Sequence, residues 1–303
     1  MALFKIDSYE TNPSVATIMS ECFHEPLSSV VFFLKNKSKN SRCYTCTNNN
    51  ETVSALHALP YKIKIGENFF NSSYVYAACT APLHRKKGYM KKLIKFYEAD
   101  AKINGFEFSF LVPDNKHLEN YYKKLGYENF FKIKEVNLKN EEFLELCSPP
   151  TKAQNEQNKN THKNFYKFIE KLRLDIYNNI SNVLYTSEDM KYAASLYKFF
   201  GGKLISIPEG YAICIPTKKD TLEIKDFTCK NEFIPFLLRK IYTNFPHCEN
   251  FRIVTNPNDI FFKKNAKTYF WGMIKPLSSA SKETLETFLQ TKKQEVYLGL
   301  ALD

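Results

Sequence analysis

Residues 79–100 read CTAPLHRKKGYMKKLIKFYEAD and carry the pattern from which the rest of the chain can be interpreted. A β-prone run leads into a basic loop, and a helical pattern follows the loop. The apolar helix positions are spaced at i, i+3, i+4, i+7 and i+11, namely Met90, Leu93, Ile94, Tyr97 and Ala101. Because the first turn of a helix has unpaired N–H groups and partial positive charge, this succession predicts an anion site.

The charges of the loop support this prediction. Arg85, Lys86 and Lys87 precede Gly88, and Lys91 and Lys92 follow it. Lysines at a helix N-terminus oppose the helix dipole at a cost of about 0.3 to 1 kcal/mol each unless an anion is bound. The alternative interpretation is a basic face that is merely hydrated. A pyrophosphate and a separate ribose phosphate would both suit this loop.

The neighbouring segments predict a mixed α/β domain. Helical and strand-like patterns alternate, in the order strand, strand, helix, strand, helix, strand. The predicted strands are residues 51–65, 73–80, 106–112 and 129–136, with a polar turn at 66–72 and a second helix at 116–125.

A similar series follows a polar stretch, SPPTKAQNEQNKNTHKN, at residues 148–164. The prolines and the near absence of apolar residues predict a linker there. The expected domains are therefore 1–147 and 165–303, and their similar element order indicates an internal duplication. The predicted helices of the second domain are 165–179, 189–200 and 233–245, and its predicted strands are 203–207, 211–216 and 221–227.

Two motifs give this chain a recognisable resemblance. Pro82, Arg85 and Gly88 are spaced as in the acyl-CoA pyrophosphate loop of the GNAT superfamily, although Met90 departs from the small residue expected there. The loop resembles the R-x-x-G-hydrophobic-Met/Leu variant of tandem-GNAT proteins related to aminoglycoside acetyltransferases. Downstream, the superfamily pattern N-x-x-A-x-x-x-Y-x-K-x-G-F is matched by Asn115, Tyr122, Lys124, Gly126 and Tyr127, with Leu118 at the alanine position.

The resemblance implies an N-acetyltransferase in which a primary amine of a small molecule or peptide attacks acetyl-CoA directly. It implies that Ala78, Cys79 and Thr80 offer backbone groups to the pantetheine arm, which Asn115 also contacts. The residues implied for the pyrophosphate are Arg85, Lys86, Lys87, Gly88, Tyr89 and Met90. No equivalent loop exists in the second half, where Gly201 and Gly202 precede a strand, so that domain is expected to be a degenerate GNAT-like domain.

The resemblance also implies that Tyr122 is the general acid. A phenol with a pKa near ~10 can protonate a thiolate whose pKa is ~8.5. The alternative is core packing, since Leu118, Tyr121, Tyr122 and Leu125 have helical spacing. The base is left open between Glu25, His57, a water chain and the C-terminal carboxylate of Asp303. The apolar segment YLGLALD that leads to this carboxylate suits burial as a strand.

Composition limits the remaining classes. Lys and Arg number 43 against 32 Asp and Glu, a net charge of +11, but the excess is diffuse and does not favour nucleic-acid binding. A basic nucleic-acid module and a non-catalytic acyl-CoA sensor are the rival functions. No signal peptide or membrane span is expected, which makes the cytoplasm the default location. The sequence leaves the acceptor and the oligomeric state open.

The eight cysteines are expected to be free thiols. Cys43 and Cys46 have CxxC spacing, yet no second pair follows and both are interpreted as structural residues. We therefore expect no metal site. Because Cys79 is expected beside the thioester, an acyl-cysteine intermediate is one possible mechanism. No His and Asp partners for the thiol are evident, so direct transfer to the amine is favoured.

Overall fold

The computed structural model describes residues 2–8, 12–37, 41–149, 164–218, 220–291 and 295–300. The first part of the chain forms β1 (Leu3–Asp7), α1 (Ser14–Phe23), α2 (Leu27–Asn36), β2 (Arg42–Asn48), β3 (Glu51–Ile65), β4 (Asn68–Thr80), α3 (Tyr89–Ile103), β5 (Phe108–Leu111) and α4 (Lys116–Lys123). The middle part forms β6 (Glu128–Lys139), α5 (Asn140–Leu146), α6 (Phe165–Ile176), β7 (Asn182–Leu184), α7 (Ser187–Phe199), β8 (Lys203–Ile207), β9 (Gly210–Lys218) and β10 (Thr221–Cys229). The last part forms α8 (Ile234–Asn244), β11 (Asn250–Thr255), β12 (Ala266–Pro276), α9 (Ser279–Thr291) and β13 (Val296–Tyr297).

These elements form two compact units that exchange pieces of chain. The first unit consists of Met1–Phe130 and Gly272–Lys293, and the second consists of Phe131–Trp271 and Gln294–Asp303. Strands in these units take partners from distant parts of the chain, which local composition does not show. The domain boundaries at residues 147 and 165 stay a prediction. Most of the predicted linker, residues 150–163, lies outside the described residues.

The first unit contains a mixed sheet in the order β1, β2, β3, β4, β5, β12. Neighbours from β1 to β4 are antiparallel, β4 and β5 are parallel, and β12 returns antiparallel to β5. Four of the five apolar positions predicted for α3 are buried against the sheet, where they meet side chains of β2 and β3, and Met90 is half-buried. This core includes Tyr44, Val53, Leu56, Leu93, Ile94 and Tyr97.

The second unit has its own mixed sheet, in the order β6, β11, β10, β9, β8. Here β10 and β11 are the parallel pair. The strand β13 pairs in parallel with β6 and with β7. Helix α8 packs its apolar residues into the core with side chains of the sheet, including Leu237, Leu238, Ile241, Leu222, Ile224 and Phe251.

The predicted α/β class with two GNAT-like halves is confirmed, and two local expectations are corrected. The turn predicted at residues 66–72 contains only Gly66 and Glu67, because β4 begins at Asn68, which is paired with Ile65. The segment before the chain end is buried from Val296 to Leu300, but only Val296–Tyr297 is a strand.

Candidate active site

The end of β4 is deformed by a β-bulge. Cys79 is paired with Ala55 and Tyr76 with His57, so β4 contains one residue more than β3 between these pairs. Ala77 lies in this extra stretch with φ of 51°. A positive φ is uncommon for a residue with a side chain, and bulges are frequent beside active sites because they redirect the strand. The bulge turns backbone groups of β4 away from regular pairing.

The same end of β4 separates from β5. The parallel pairing between the two strands spans Ser72–Tyr74 and Phe108–Phe110, yet β4 continues to Thr80. The backbone groups on this edge of β4 beyond Tyr74 therefore have no β5 partner. An open strand edge can pair with an extended ligand that carries amide groups, in the way that a peptide adds to a sheet.

The basic loop connects this open edge to the N-terminus of α3. A short 3-10 helix, Pro82–His84, begins the loop, and Gly88 ends it as the N-cap of α3 with φ of 82°. This left-handed conformation favours glycine. No side chain caps α3, and its first turn contains no acidic residue. The first N–H groups of the helix are therefore available to an external acceptor.

All five cationic side chains of this loop and first turn are exposed, namely Arg85, Lys86, Lys87, Lys91 and Lys92. Arg85 is also held in place, since its Nε donates a hydrogen bond to the carbonyl oxygen of Thr80 over 3.1 Å. Helix N–H groups surrounded by cations form a site for a phosphate-bearing ligand.

Three buried tyrosines lie close together, and one of them, Tyr122, is near Cys79 at the end of β4. Tyr97 and Tyr127 both hydrogen-bond to Ser109 Oγ, at 2.9 and 2.7 Å. The Tyr122 ring packs against Tyr127 and Tyr121, with centroids 5.8 and 5.3 Å apart. Within the described part of the chain, nothing hydrogen-bonds to Tyr122 Oη. Burial, with smaller contributions from Tyr121 and Cys79, raises the pKa of Tyr122 above its ordinary value, so its proton is retained.

The other implied cofactor contacts have these positions. Cys79 is buried and Ala78 is half-buried, while Thr80 Oγ1 lies 2.7 Å from Ser54 Oγ. Asn115 caps α4, because its Oδ1 accepts a hydrogen bond from Leu118 N at 3.1 Å. The amide oxygen of Asn115 thus has a structural role.

The loop residues Tyr89 and Met90 are half-buried and pack against the core of the first unit. Their side chains therefore anchor the start of α3, while the backbone before them stays at the surface.

The candidates for the base have contrasting surroundings. Glu25 is exposed between α1 and α2 and accepts a hydrogen bond from Ser29 Oγ at 3.2 Å. His57 is completely buried, and neither ring nitrogen has a hydrogen-bond partner in the described residues. Burial lowers the pKa of His57 from 6.5 to about 4, so the imidazole is neutral near pH 7. Asp303 lies outside the described residues.

The corresponding place in the second unit also has a register shift in its strand, but its side chains differ. The register of β10 shifts between Ile224 and Asp226, and its pairing with β11 ends at Ile224. The following 3-10 helix, Asn231–Phe233, has an acidic residue and no glycine before α8. The Asp226 carboxylate is buried and accepts hydrogen bonds from Arg173 Nη1 and Tyr211 Oη, each at 2.7 Å, and from Tyr297 Oη at 3.0 Å. Side chains of the unit therefore occupy this place, and the basic loop is missing.

Two features of the site escaped the sequence interpretation. The bulge at Ala77 has no local signal, since an alanine gives no indication of a positive φ. Cys22, near the end of α1, contacts Cys79 and Arg85, although 57 residues separate the two cysteines in sequence. Only the fold brings them together.

No helix in the described ranges is both long and apolar enough to cross a bilayer. Among those same residues, no cluster of three or more His, Cys, Asp or Glu side chains is arranged to hold a metal ion. The described cysteines, including Cys43 and Cys46 in β2, are free thiols.

Comparison with protein families gives a match in the first part of the chain. A family described as Acetyltransferase (GNAT) domain matches residues 9–130, a range that contains the bulge, the basic loop and Tyr122. A comparison with curated protein sequences gave no match.

Solved structures with this fold span nearly the whole chain. A GCN5-related N-acetyltransferase from Kribbella flavida has a TM-score of 0.72 at 14% identity, covering 93% of this chain and 72% of that one. A probable N-acyltransferase from Enterococcus faecalis V583 has a TM-score of 0.71 at 15% identity, covering 93% and 74%. A tandem GNAT protein from the clavulanic acid biosynthesis pathway has a TM-score of 0.57 at 10% identity, covering 92% and 99%. At such identities the likeness concerns the fold.

Proposed function

Because residues 9–130 belong to the GNAT acetyltransferase family and the chain has the tandem GNAT fold, we propose that this protein transfers an acetyl group from acetyl-CoA to a primary amine. The acceptor is a small molecule or a peptide. The first unit performs the reaction, and the second unit lacks a cofactor loop.

One observation carries the proposal. The strand β4 leaves β5 after Tyr74, contains a bulge at Ala77, and ends directly before a basic loop and an uncapped helix. Pantetheine is an extended arm with amide groups, and it is joined to a pyrophosphate. The open edge suits the arm, and the N-terminus of α3 suits the pyrophosphate. The arm and the pyrophosphate of one acetyl-CoA molecule would thus bind to two adjacent surfaces with matching chemistry.

The residues would share the chemistry as follows. The backbone of Ala78, Cys79 and Thr80 orients the arm, and N–H groups at the bulge stabilise negative charge on the thioester oxygen during attack. Arg85 and the lysines around Gly88 hold the phosphates. Tyr122 donates its proton to the departing thiolate, since its hydroxyl has no hydrogen-bond partner in the described residues and burial keeps it protonated.

The experiment is a panel of amines incubated with acetyl-CoA and a thiol-reactive dye. Thiol release that depends on one class of amine supports the proposal, and mass spectrometry of the acceptor should show one added acetyl group. Binding of CoA by calorimetry without thiol release for any amine would favour a non-catalytic sensor. Binding to DNA or RNA that weakens with salt, without CoA binding, would favour the basic nucleic-acid module.

A further inference from the structure

Two free cysteines meet beside the proposed cofactor site. Cys22 is in the last turn of α1, and Cys79 precedes the final residue of β4. The two side chains interact with each other. In its thiol form Cys22 also donates to the carbonyl oxygen of Thr80, 3.3 Å away. The carbonyl oxygen of Thr80 is also the acceptor for Arg85 Nε.

The surroundings make the two thiols unequal. The hydrogen bond from Cys79 lowers the pKa of Cys22 to about 6, burial opposes this effect, and Arg85 lowers it further by hydrogen bonding and by charge. The same contact with Cys22, together with burial, raises the pKa of Cys79 well above its ordinary value. These contacts favour the thiolate, which is the nucleophilic form, on the half-buried Cys22 and keep its neighbour Cys79 as a thiol.

We propose that Cys22 and Cys79 form a redox modification site, at which a peroxide oxidises Cys22 and Cys79 then closes a disulfide with it. In the first step the Cys22 thiolate attacks a peroxide oxygen, the O–O bond breaks, and hydroxide leaves, which gives a sulfenic acid on Cys22. In the second step Cys79 attacks the Cys22 sulfur, an S–S bond forms, and the S–O bond breaks. The proton of Cys79 ends on the departing oxygen. In total, two thiols and one hydrogen peroxide give one disulfide and two water molecules.

The modification is coupled to the cofactor site through Arg85, and this coupling rests on the proposed function. Arg85 stabilises the Cys22 thiolate, and the proposed function also gives it the cofactor phosphates. Two anions thus compete for one guanidinium group. Bound acetyl-CoA should raise the pKa of Cys22 and slow its oxidation.

The chain provides a matched control in Cys147. Cys147 is also half-buried, and its Sγ donates to the carbonyl oxygen of Phe143 over the same 3.3 Å. Burial raises the pKa of Cys147 to about 11, with a smaller opposing effect from Arg239. Both cysteines therefore have similar exposure, and in the thiol form each donates to a backbone carbonyl, but only Cys22 has a second thiol and an arginine that lower its pKa.

The experiment treats the reduced full-length protein at pH 7 with a few equivalents of hydrogen peroxide. Remaining thiols are alkylated, and unreduced peptides are analysed by mass spectrometry. We expect a Cys22–Cys79 cross-linked peptide that dithiothreitol removes, with Cys147 reacting at least about tenfold more slowly. In Cys79→Ala, dimedone should trap a sulfenic acid on Cys22, and Cys22→Ser should leave Cys79 unmodified.

Two results would contradict the proposed disulfide between Cys22 and Cys79. One is a Cys22 that reacts no faster than Cys147, and the other is a Cys22 that proceeds to sulfinic acid without cross-linking to Cys79. A separate arm repeats the oxidation with acetyl-CoA at a concentration that calorimetry shows to be saturating. Slower oxidation supports the competition for Arg85. An unchanged rate overturns that competition while leaving the disulfide result in place, so the two failures are distinguishable.

Discussion

Arg85 donates through Nε to the carbonyl oxygen of Thr80, 3.1 Å away, and this bond ties the basic loop to the last residue of β4. The hydrogen bond fixes the guanidinium at the point where the open strand edge meets the N-terminus of α3. The Arg85 side chain is exposed, so its guanidinium is accessible to a phosphate. Arg85 therefore has two roles: it holds the loop against β4, and it supplies a positive charge for a phosphate.

The first prediction concerns the contribution of Arg85 to acetyl-CoA binding. Arg85→Ala should weaken acetyl-CoA binding by about tenfold or more, because a charge-assisted hydrogen bond contributes roughly 1.5 to 3 kcal/mol. Lys102→Ala removes an equal charge from the opposite end of α3 and should change affinity little. Calorimetry provides the measurement. Equal Kd values for Arg85→Ala and the unmodified protein would remove the loop from the cofactor site.

The second prediction concerns Tyr122, whose hydroxyl differs from those of Tyr97 and Tyr127 in having no hydrogen bond within the described residues. Tyr122→Phe should lower kcat by roughly 10²-fold or more if the phenol protonates the thiolate. Its KM for acetyl-CoA and its melting temperature should stay close to those of the unmodified protein. Since burial raises the pKa of Tyr122 above its ordinary value, this group should cause no loss of kcat with rising pH below about pH 10.

Tyr121→Phe is the matched control for that experiment, since Tyr121 neighbours Tyr122 on the same helix. It should retain full turnover. If both phenylalanine variants turn over at the unmodified rate, Tyr122 is a packing residue and the acid is another group.

The basic loop and α3 could be predicted from sequence because their signals are local. The glycine before the helix, the basic residues and the apolar period all lie within residues 79–100. The helices α1 and α2 were missed, because each begins at a proline N-cap without a side-chain capping bond. The exchange of chain between the units depends on strand partners far apart in sequence, such as Met273 and Leu111. Local patterns contain no information about that pairing.

The third prediction follows from the burial of His57. Burial lowers the pKa of His57 from 6.5 to about 4, so the unfolded chain binds a proton first as the pH falls. The resulting loss of stability begins near pH 6.5 and is complete below about pH 4. It amounts to roughly 3 kcal/mol, since each pKa unit is about 1.36 kcal/mol.

Urea denaturation between pH 7 and pH 4 tests whether the unfolding free energy falls as predicted. In His57→Leu the fall in unfolding free energy over this interval should be smaller by roughly that amount. His117→Leu changes an exposed histidine and should preserve the original slope. The same acid slope in His57→Leu as in the unmodified protein would show that the imidazole is not held neutral by burial.

The last prediction concerns the buried ion pair of the second unit. Arg173 and Asp226 are almost completely buried, with Nη1 and Oδ2 2.7 Å apart. Gly299 allows the chain to pass beside the guanidinium, since a Cβ there would lie only 2.2 Å from Arg173 Nη2. Asp226→Ala leaves this cation buried without its counter-ion. Such a loss costs about 3 to 5 kcal/mol, and the cost should appear as a lower unfolding free energy in urea.

An exposed pair gives the control for this experiment. Lys282 and Glu286 are 3.7 Å apart with both side chains exposed, so Glu286→Ala should change stability by less than about 1 kcal/mol. Combining Arg173→Met with Asp226→Leu removes both charges and should recover much of what Asp226→Ala loses, because no unpaired charge stays buried. If Asp226→Ala is no more destabilising than Glu286→Ala, the guanidinium has another anionic partner or reaches water, and the buried pair does not maintain the core of the second unit.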